Sequence, residues 1–154
     1  MRVILIDDHA LFRAGLQGLL ERRGIDVVAA VGDPEEGIRL AAAEKPDLLL
    51  IDLRMPKMDG LSVLRQLARE QMALSAVVLT TSPDETDLAT ALQLGARGYL
   101  LKDMEPDELV ASLHEILTGN VAVAPGLTSV LAELVKQGHP SSKDDHQWFD
   151  SLTP

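Results

Sequence analysis

The chain has 154 residues, 46% of them apolar and 25% charged, which fits one soluble domain, alone or with a tail, and excludes a disordered polymer. Twenty-four acidic against fourteen basic residues give a net charge of −10, so these residues do not hold nucleic acid through their own surface, which would need clustered positive charge. The absence of cysteine excludes disulfides, thiol nucleophiles and Cys-based metal sites.

The chain opens on Val3–Ile6, an apolar run that ends at Asp7-Asp8. It is too short for a secretory signal, and no later run approaches the ~20 apolar residues of a membrane span, so a cytoplasmic protein with no membrane partner is expected. Four more short runs follow at Val27–Val31, Leu48–Ile51, Ala76–Leu79 and Gly98–Leu101. None alternates with polar residues, which predicts strands buried on both faces.

Helical spacing fills the gaps between them. Phe12, Leu16, Leu19 and Leu20 make one apolar stripe. Asp33-Pro34-Glu35-Glu36 reads as a helix start, with an N-cap, a first-turn proline and an acid three residues after the cap. Leu61, Leu64 and Leu67 mark a third helix, introduced by a tight turn at Asp59-Gly60. Leu88, Ala91, Leu92 and Leu94 mark a fourth, closed by Gly95. Leu109, Leu113, Ile116 and Leu117 mark a fifth, between Pro106 and Gly119. A short amphipathic helix is expected within 121–135, followed by a polar linker over 137–150 that only Trp148 and Phe149 interrupt.

Strict βα alternation predicts an α/β fold, a doubly wound five-stranded parallel sheet with helices on both faces and a C-terminal helical tether. Function in such sheets gathers at the carboxyl ends of the strands. Those ends carry Asp7-Asp8, Asp52, Thr80-Thr81 and Lys102. Three clustered carboxylates need raised pKa values, a cationic partner or a bound hard cation, and Mg²⁺ suits the last choice. With Lys102 and the Thr80 hydroxyl they form a cradle for a transferring phosphoryl group, with Asp52 as the nucleophile. Thr80 is preferred to Thr81 because neighbours on a strand face opposite ways. His9 reads as a first-turn helix residue rather than a ligand or base, and His114 as an ordinary helix residue.

Asp7-Asp8, the run Asp52-Leu53-Arg54-Met55-Pro56-Lys57-Met58-Asp59-Gly60, Thr80 and Gly98-Tyr99-Leu100-Leu101-Lys102 resemble the motif set of a two-component response-regulator receiver domain. The resemblance covers about residues 1–118. It implies a flavodoxin- and CheY-like strand order, 2-1-3-4-5. It implies that Asp52 accepts phosphate from a sensor histidine kinase, and that the chain is a phosphoacceptor switch, not a turnover enzyme. Asp8, Asp52 and the backbone carbonyl of Arg54 would bind Mg²⁺, with Asp7 acting largely through water. Lys102 would contact the phosphoryl group, and Thr80 and Tyr99 would be the switch pair. No organic cofactor is implied.

Lys102-Asp103 replaces the usual Lys-Pro, and with Asp7-Asp8-His9 and Leu152-Thr153-Pro154 it is similar to the NarL/FixJ group of transcriptional regulators. The stretches Lys102–Pro106 and Leu127–Ala132 resemble the nitrate/nitrite-responsive branch of that group. The resemblance implies a receiver over 1–119, a helix and interdomain linker over 120–150, and at 151–154 the start of a truncated LuxR-type helix-turn-helix domain. DNA would then be bound only through that missing domain, after dimerisation on phosphorylation. Two other classes compete: an Mg²⁺-dependent aspartyl-phosphate phosphatase, and a receiver-like interaction module that is never phosphorylated. The phosphatase would place a second acid two residues after the nucleophile, where this chain has Arg54. A dinucleotide-binding domain would need a glycine-rich loop where Asp7-Asp8-His9-Ala10 stands.

Overall fold

The computed structural model describes residues 1–81, 84–129 and 132–133. Strands β1 (Arg2–Ile6), β2 (Asp26–Val31), β3 (Leu48–Asp52), β4 (Ser75–Thr80) and β5 (Gly98–Leu101) alternate with helices. Those helices are α1 (Ala10–Arg22), α2 (Pro34–Glu44), α3 (Gly60–Arg69), α4 (Glu85–Gln93) and α5 (Pro106–Leu117). The five expected strands lie in the order β2-β1-β3-β4-β5, and every pairing is parallel.

A sixth strand was not expected. β6 (Ala122–Val123) adds to β5, and a single 3-10 turn follows at Pro125–Leu127. The expected amphipathic helix over 121–135 is therefore replaced at its start by a strand. The reason lies in tertiary structure: β5 would otherwise end the sheet with an open edge, and such edges are commonly covered. The Ala122 amide donates to the Arg97 carbonyl and the Ala124 amide to the Tyr99 carbonyl, both at 3.0 Å. Residues 128, 129, 132 and 133 are helical, whereas the expected linker, Trp148-Phe149 and the 151–154 segment lie outside the described residues.

Strand alternation divides the interior into two layers. Ile4, Ile6, Leu49, Ile51, Val78 and Tyr99 pack with the apolar stripes of α2, α3 and α4. Val3, Leu5, Leu48, Leu50, Val77, Leu79 and Leu100 pack with those of α1 and α5. Every residue of β3 is buried, which explains its unbroken apolar run. Among the described residues no helix is long and apolar enough to cross a membrane.

Local signals set the helix ends. Asp33, Asp59 and Asp84 each cap a helix, accepting from the amides of Glu35, Ser62 and Asp87 respectively. Gly95 and Gly119 follow α4 and α5 with φ of +100° and +98°, a left-handed turn that glycine takes without strain. Gly60 has a different task. A Cβ there would lie 2.9 Å from the Asp52 carbonyl oxygen and 3.0 Å from the Leu53 Cα. Both are backbone atoms, so Gly60→Ala must push α3 off the end of β3. The expected cost is about 1–3 kcal/mol, read as a lower urea midpoint. An unchanged midpoint would contradict this close approach.

Candidate functional site

Parallel strands put their carboxyl ends on one edge, and there β1, β3, β4 and β5 deliver their last residues. Asp52 is the final residue of β3 and is 3% exposed. Asp7 follows β1, its amide continuing the ladder to the Val31 carbonyl, and it is buried as well. Asp8, one residue on, is exposed. Thr80 ends β4 and is buried, while Thr81 is exposed, as the alternation predicts. Lys102 follows β5, its amide held by the Thr80 carbonyl at 2.8 Å.

The buried charges meet through Lys102. Its Nζ lies 2.8 Å from Asp7 Oδ2 and 3.2 Å from Asp52 Oδ1. The contact to Asp7 is an ion pair, and beyond it Asp7 Oδ2 has no hydrogen-bond partner among the described residues. The same holds for Asp52 Oδ2. Burial pushes the Asp52 carboxyl up from 3.8 to about 6, the neighbouring Asp7 charge adds to the rise, and Lys102 opposes it. One ammonium among three carboxylates leaves negative charge over. A buried carboxylate oxygen of Asp52 that accepts no hydrogen bond, with the carboxylates of Asp7 and Asp8 beside it, is the kind of oxygen set a hard dication takes. The donor set therefore fits Mg²⁺.

Several residues outside the expected set shape this edge. His9 stands at the N-cap position of α1; its amide donates to Asp7 Oδ1 at 2.8 Å, and its ring lies over the carboxylates. The sequence reading took it for a helix residue, although its place directly after Asp7-Asp8 was the available signal. Arg13 donates from its guanidinium to the Asp7 carbonyl at 2.5 Å. Phe12, read as core, places its ring 4.6 Å from Lys102 Nζ, a cation–π contact that steadies the ammonium. Beside them opens a cleft of about 540 Å³ lined by His9, Leu11, Phe12, Thr81, Lys102 and Asp103.

Arg54 and Tyr99 lie toward α4. The Arg54 amide approaches Asp52 Oδ1 at 3.4 Å, and its guanidinium pairs with Asp87 Oδ2 at 2.6 Å. That pair ties the loop after β3 to the first turn of α4. Tyr99 is fully buried beside Leu88, Ala91 and Leu92. Its hydroxyl comes near the Asp84 backbone but closes no hydrogen bond among the described residues. Burial, with the charges of Asp87 and Asp84 behind it, pushes the phenol up to about 12, so it stays neutral.

With this geometry in view, comparison with known proteins gives one consistent answer. The response regulator receiver domain matches residues 3–114. The nitrate/nitrite response regulator protein NarL of Escherichia coli is 40% identical over 153 residues, spanning 99% of this chain and 69% of that protein. A nitrate/nitrite response regulator protein homolog from Haemophilus influenzae is 37% identical over 154 residues, 99% of this chain and 70% of its own length. Among solved structures, a LuxR-family two-component response regulator from Aurantimonas sp. superimposes with a TM-score of 0.81 at 33% identity. It covers 88% of this chain and 97% of its own.

Proposed function

This chain belongs to the response regulator receiver family, and from that premise we propose that it is a switch operated by phosphorylation of Asp52. The observation that carries the reading is the buried triad of Asp7, Asp52 and Lys102 at the strand ends, with Asp52 Oδ2 accepting no hydrogen bond among the described residues.

The donor in this reading is a phosphohistidine of a sensor kinase, which approaches through the cleft where Leu11 is 92% exposed. An Asp52 carboxylate oxygen attacks phosphorus, the P–N bond breaks, and the imidazole leaves with its electron pair. Asp8, Asp52 and the Arg54 carbonyl would hold Mg²⁺, with Asp7 acting through water. When bound, the ion offsets the negative charge of the incoming phosphoryl group. Lys102 stands 3.2 Å from Asp52 Oδ1 and offsets that charge as well.

Phosphorylation adds nearly two negative charges at Asp52. Thr80 then moves toward the phosphoryl group and Tyr99 follows, altering the face made by α4, β5 and α5. The output of this reading is dimerisation and DNA binding through a C-terminal domain of the helix-turn-helix type. Ala124 and Leu127 are buried in the same cluster as Tyr99, which supports drawing the receiver boundary after Leu127. Identity to two nitrate/nitrite regulators supports nitrate- or nitrite-responsive transcription as the process served. A phosphorylated histidine-kinase domain should pass its label to the wild-type chain and not to Asp52→Asn. Equal labelling of both would overturn this assignment.

The phosphoryl group should also persist. Hydrolysis needs a side chain that orients water, and Arg54, paired with Asp87, offers neither carboxylate nor carboxamide. The other flanking position, Ser82, lies outside the described residues. Slow loss of the adduct by intact mass is expected, and a half-life of seconds would contradict it.

A further inference from the structure

The imidazole of His9 sits where nothing so far has required it. Its Nδ1 lies 3.3 Å from Asp7 Oδ1, 3.4 Å from Asp8 Oδ1 and 3.5 Å from Asp52 Oδ2. The ring nitrogen makes a long hydrogen bond to Asp7 Oδ1 and stands almost as near to the other two carboxylates. The three distances are a few tenths of an ångström longer than the ~3.0 Å between neighbouring donors of an octahedral cation with bonds of about 2.1 Å, so a small inward shift of the ring brings Nδ1 into the set. One ligand atom from each of the four residues lies within 4.8 Å of the others. The ring does not reach the site on a long flexible arm: the His9 backbone is held by its own amide bond to Asp7 Oδ1.

We propose that His9 is an added nitrogen ligand of the cation held by Asp8, Asp52 and the Arg54 carbonyl, and that it makes the site prefer Mn²⁺ to Mg²⁺. The inference rests on the reading of this acidic edge as a metal site, for which the buried Asp52 Oδ2, which accepts no hydrogen bond among the described residues, is the independent support. Mg²⁺ takes oxygen donors and gives up its water reluctantly, so an imidazole contributes little to holding it. Mn²⁺ also favours oxygen ligands, but as a first-row transition-metal ion it accepts an imidazole nitrogen more readily than Mg²⁺ does. A carboxylate set with one imidazole therefore separates the two ions where a carboxylate-only set does not. His9 needs only its neutral ring, with the proton on Nε2, to present Nδ1 to the metal.

The 154-residue chain is titrated with MnCl₂ and, separately, MgCl₂, using wild type, His9→Phe and His9→Ala. Pulsed electron paramagnetic resonance of the Mn²⁺ complex reads nitrogen coupling directly. The expected result is ¹⁴N coupling in wild type and none in either variant. Mn²⁺ affinity should fall at least about tenfold in the variants, the scale on which metal sites respond to losing a supporting group. Mg²⁺ affinity should change far less. A wild-type Mn²⁺ complex without ¹⁴N coupling overturns the proposal even if both variants misfold, and so does an equal loss of affinity for both ions. A folded wild-type chain that binds neither ion overturns the metal reading of the whole site, which separates that failure from this one.

Discussion

Lys102→Met should slow phosphorylation of Asp52 by about 100-fold or more, the usual scale for removing one preorganised charge from a transferring group. Methionine keeps most of the aliphatic stem that packs by Phe12 and removes only the ammonium. Two losses combine. The phosphoryl group loses the cation 3.2 Å from the attacking carboxylate, and Asp52 loses the charge that opposes its raised pKa. The nucleophile must be ionised, so the rate of the variant should also rise at higher pH than that of wild type. Initial rates with a small phosphodonor across pH 5–8, on protein shown to be folded by circular dichroism, check both points. A rate close to wild type, with an unshifted pH profile, would remove Lys102 from the mechanism.

Asp52→Asn should make the metal-free protein more stable at pH 7.5, by on the order of 2–3 kcal/mol. The sign follows from the pKa. Asp52 titrates near 6 in the fold against 3.8 as the ordinary value, so the folded state binds its proton more tightly than the unfolded chain. Its contribution is fully present below pH 3.8 and is lost as pH rises through 6, where the buried carboxylate must ionise beside Asp7. The amide never carries that charge. The stability difference between Asn and Asp should therefore shrink as pH falls from 7 to 4, and Mg²⁺ should stabilise wild type more than the variant. Urea midpoints in EDTA at several pH values measure it. Equal midpoints at pH 7.5, or a gap independent of pH, would contradict the electrostatic account of the site.

What was legible in the sequence follows from where the information lies. Five strands were readable because β3 and its neighbours are buried on both faces, so each is an unbroken apolar run. The cap at Asp33 and the closures at Gly95 and Gly119 were readable because capping is local. The acidic edge was readable because a parallel sheet sends all its carboxyl ends one way. β6 was not, because two residues carry no period and that strand exists only where β5 has an edge to cover. Arg54 finds Asp87 thirty-three residues away, a pairing set by the placement of α4. Phe12 has the spacing of a core residue and packs as one, yet its ring also faces Lys102 from the far end of the sheet order. His9, expected in the first turn of α1, stands one residue before it at the N-cap position, with no capping hydrogen bond from its ring. Its position over Asp52 depends on the register of β1 against β3, which no local pattern carries.

The central claim is that Asp52 is the phosphoacceptor. It is tested most directly by incubating the 154-residue chain with Mg²⁺ and a small phosphodonor, then measuring intact mass for wild type and Asp52→Asn. The account predicts a single phosphate adduct on wild type and none on the variant. A folded wild-type chain that gains no phosphate, or a variant that gains as much, would contradict it.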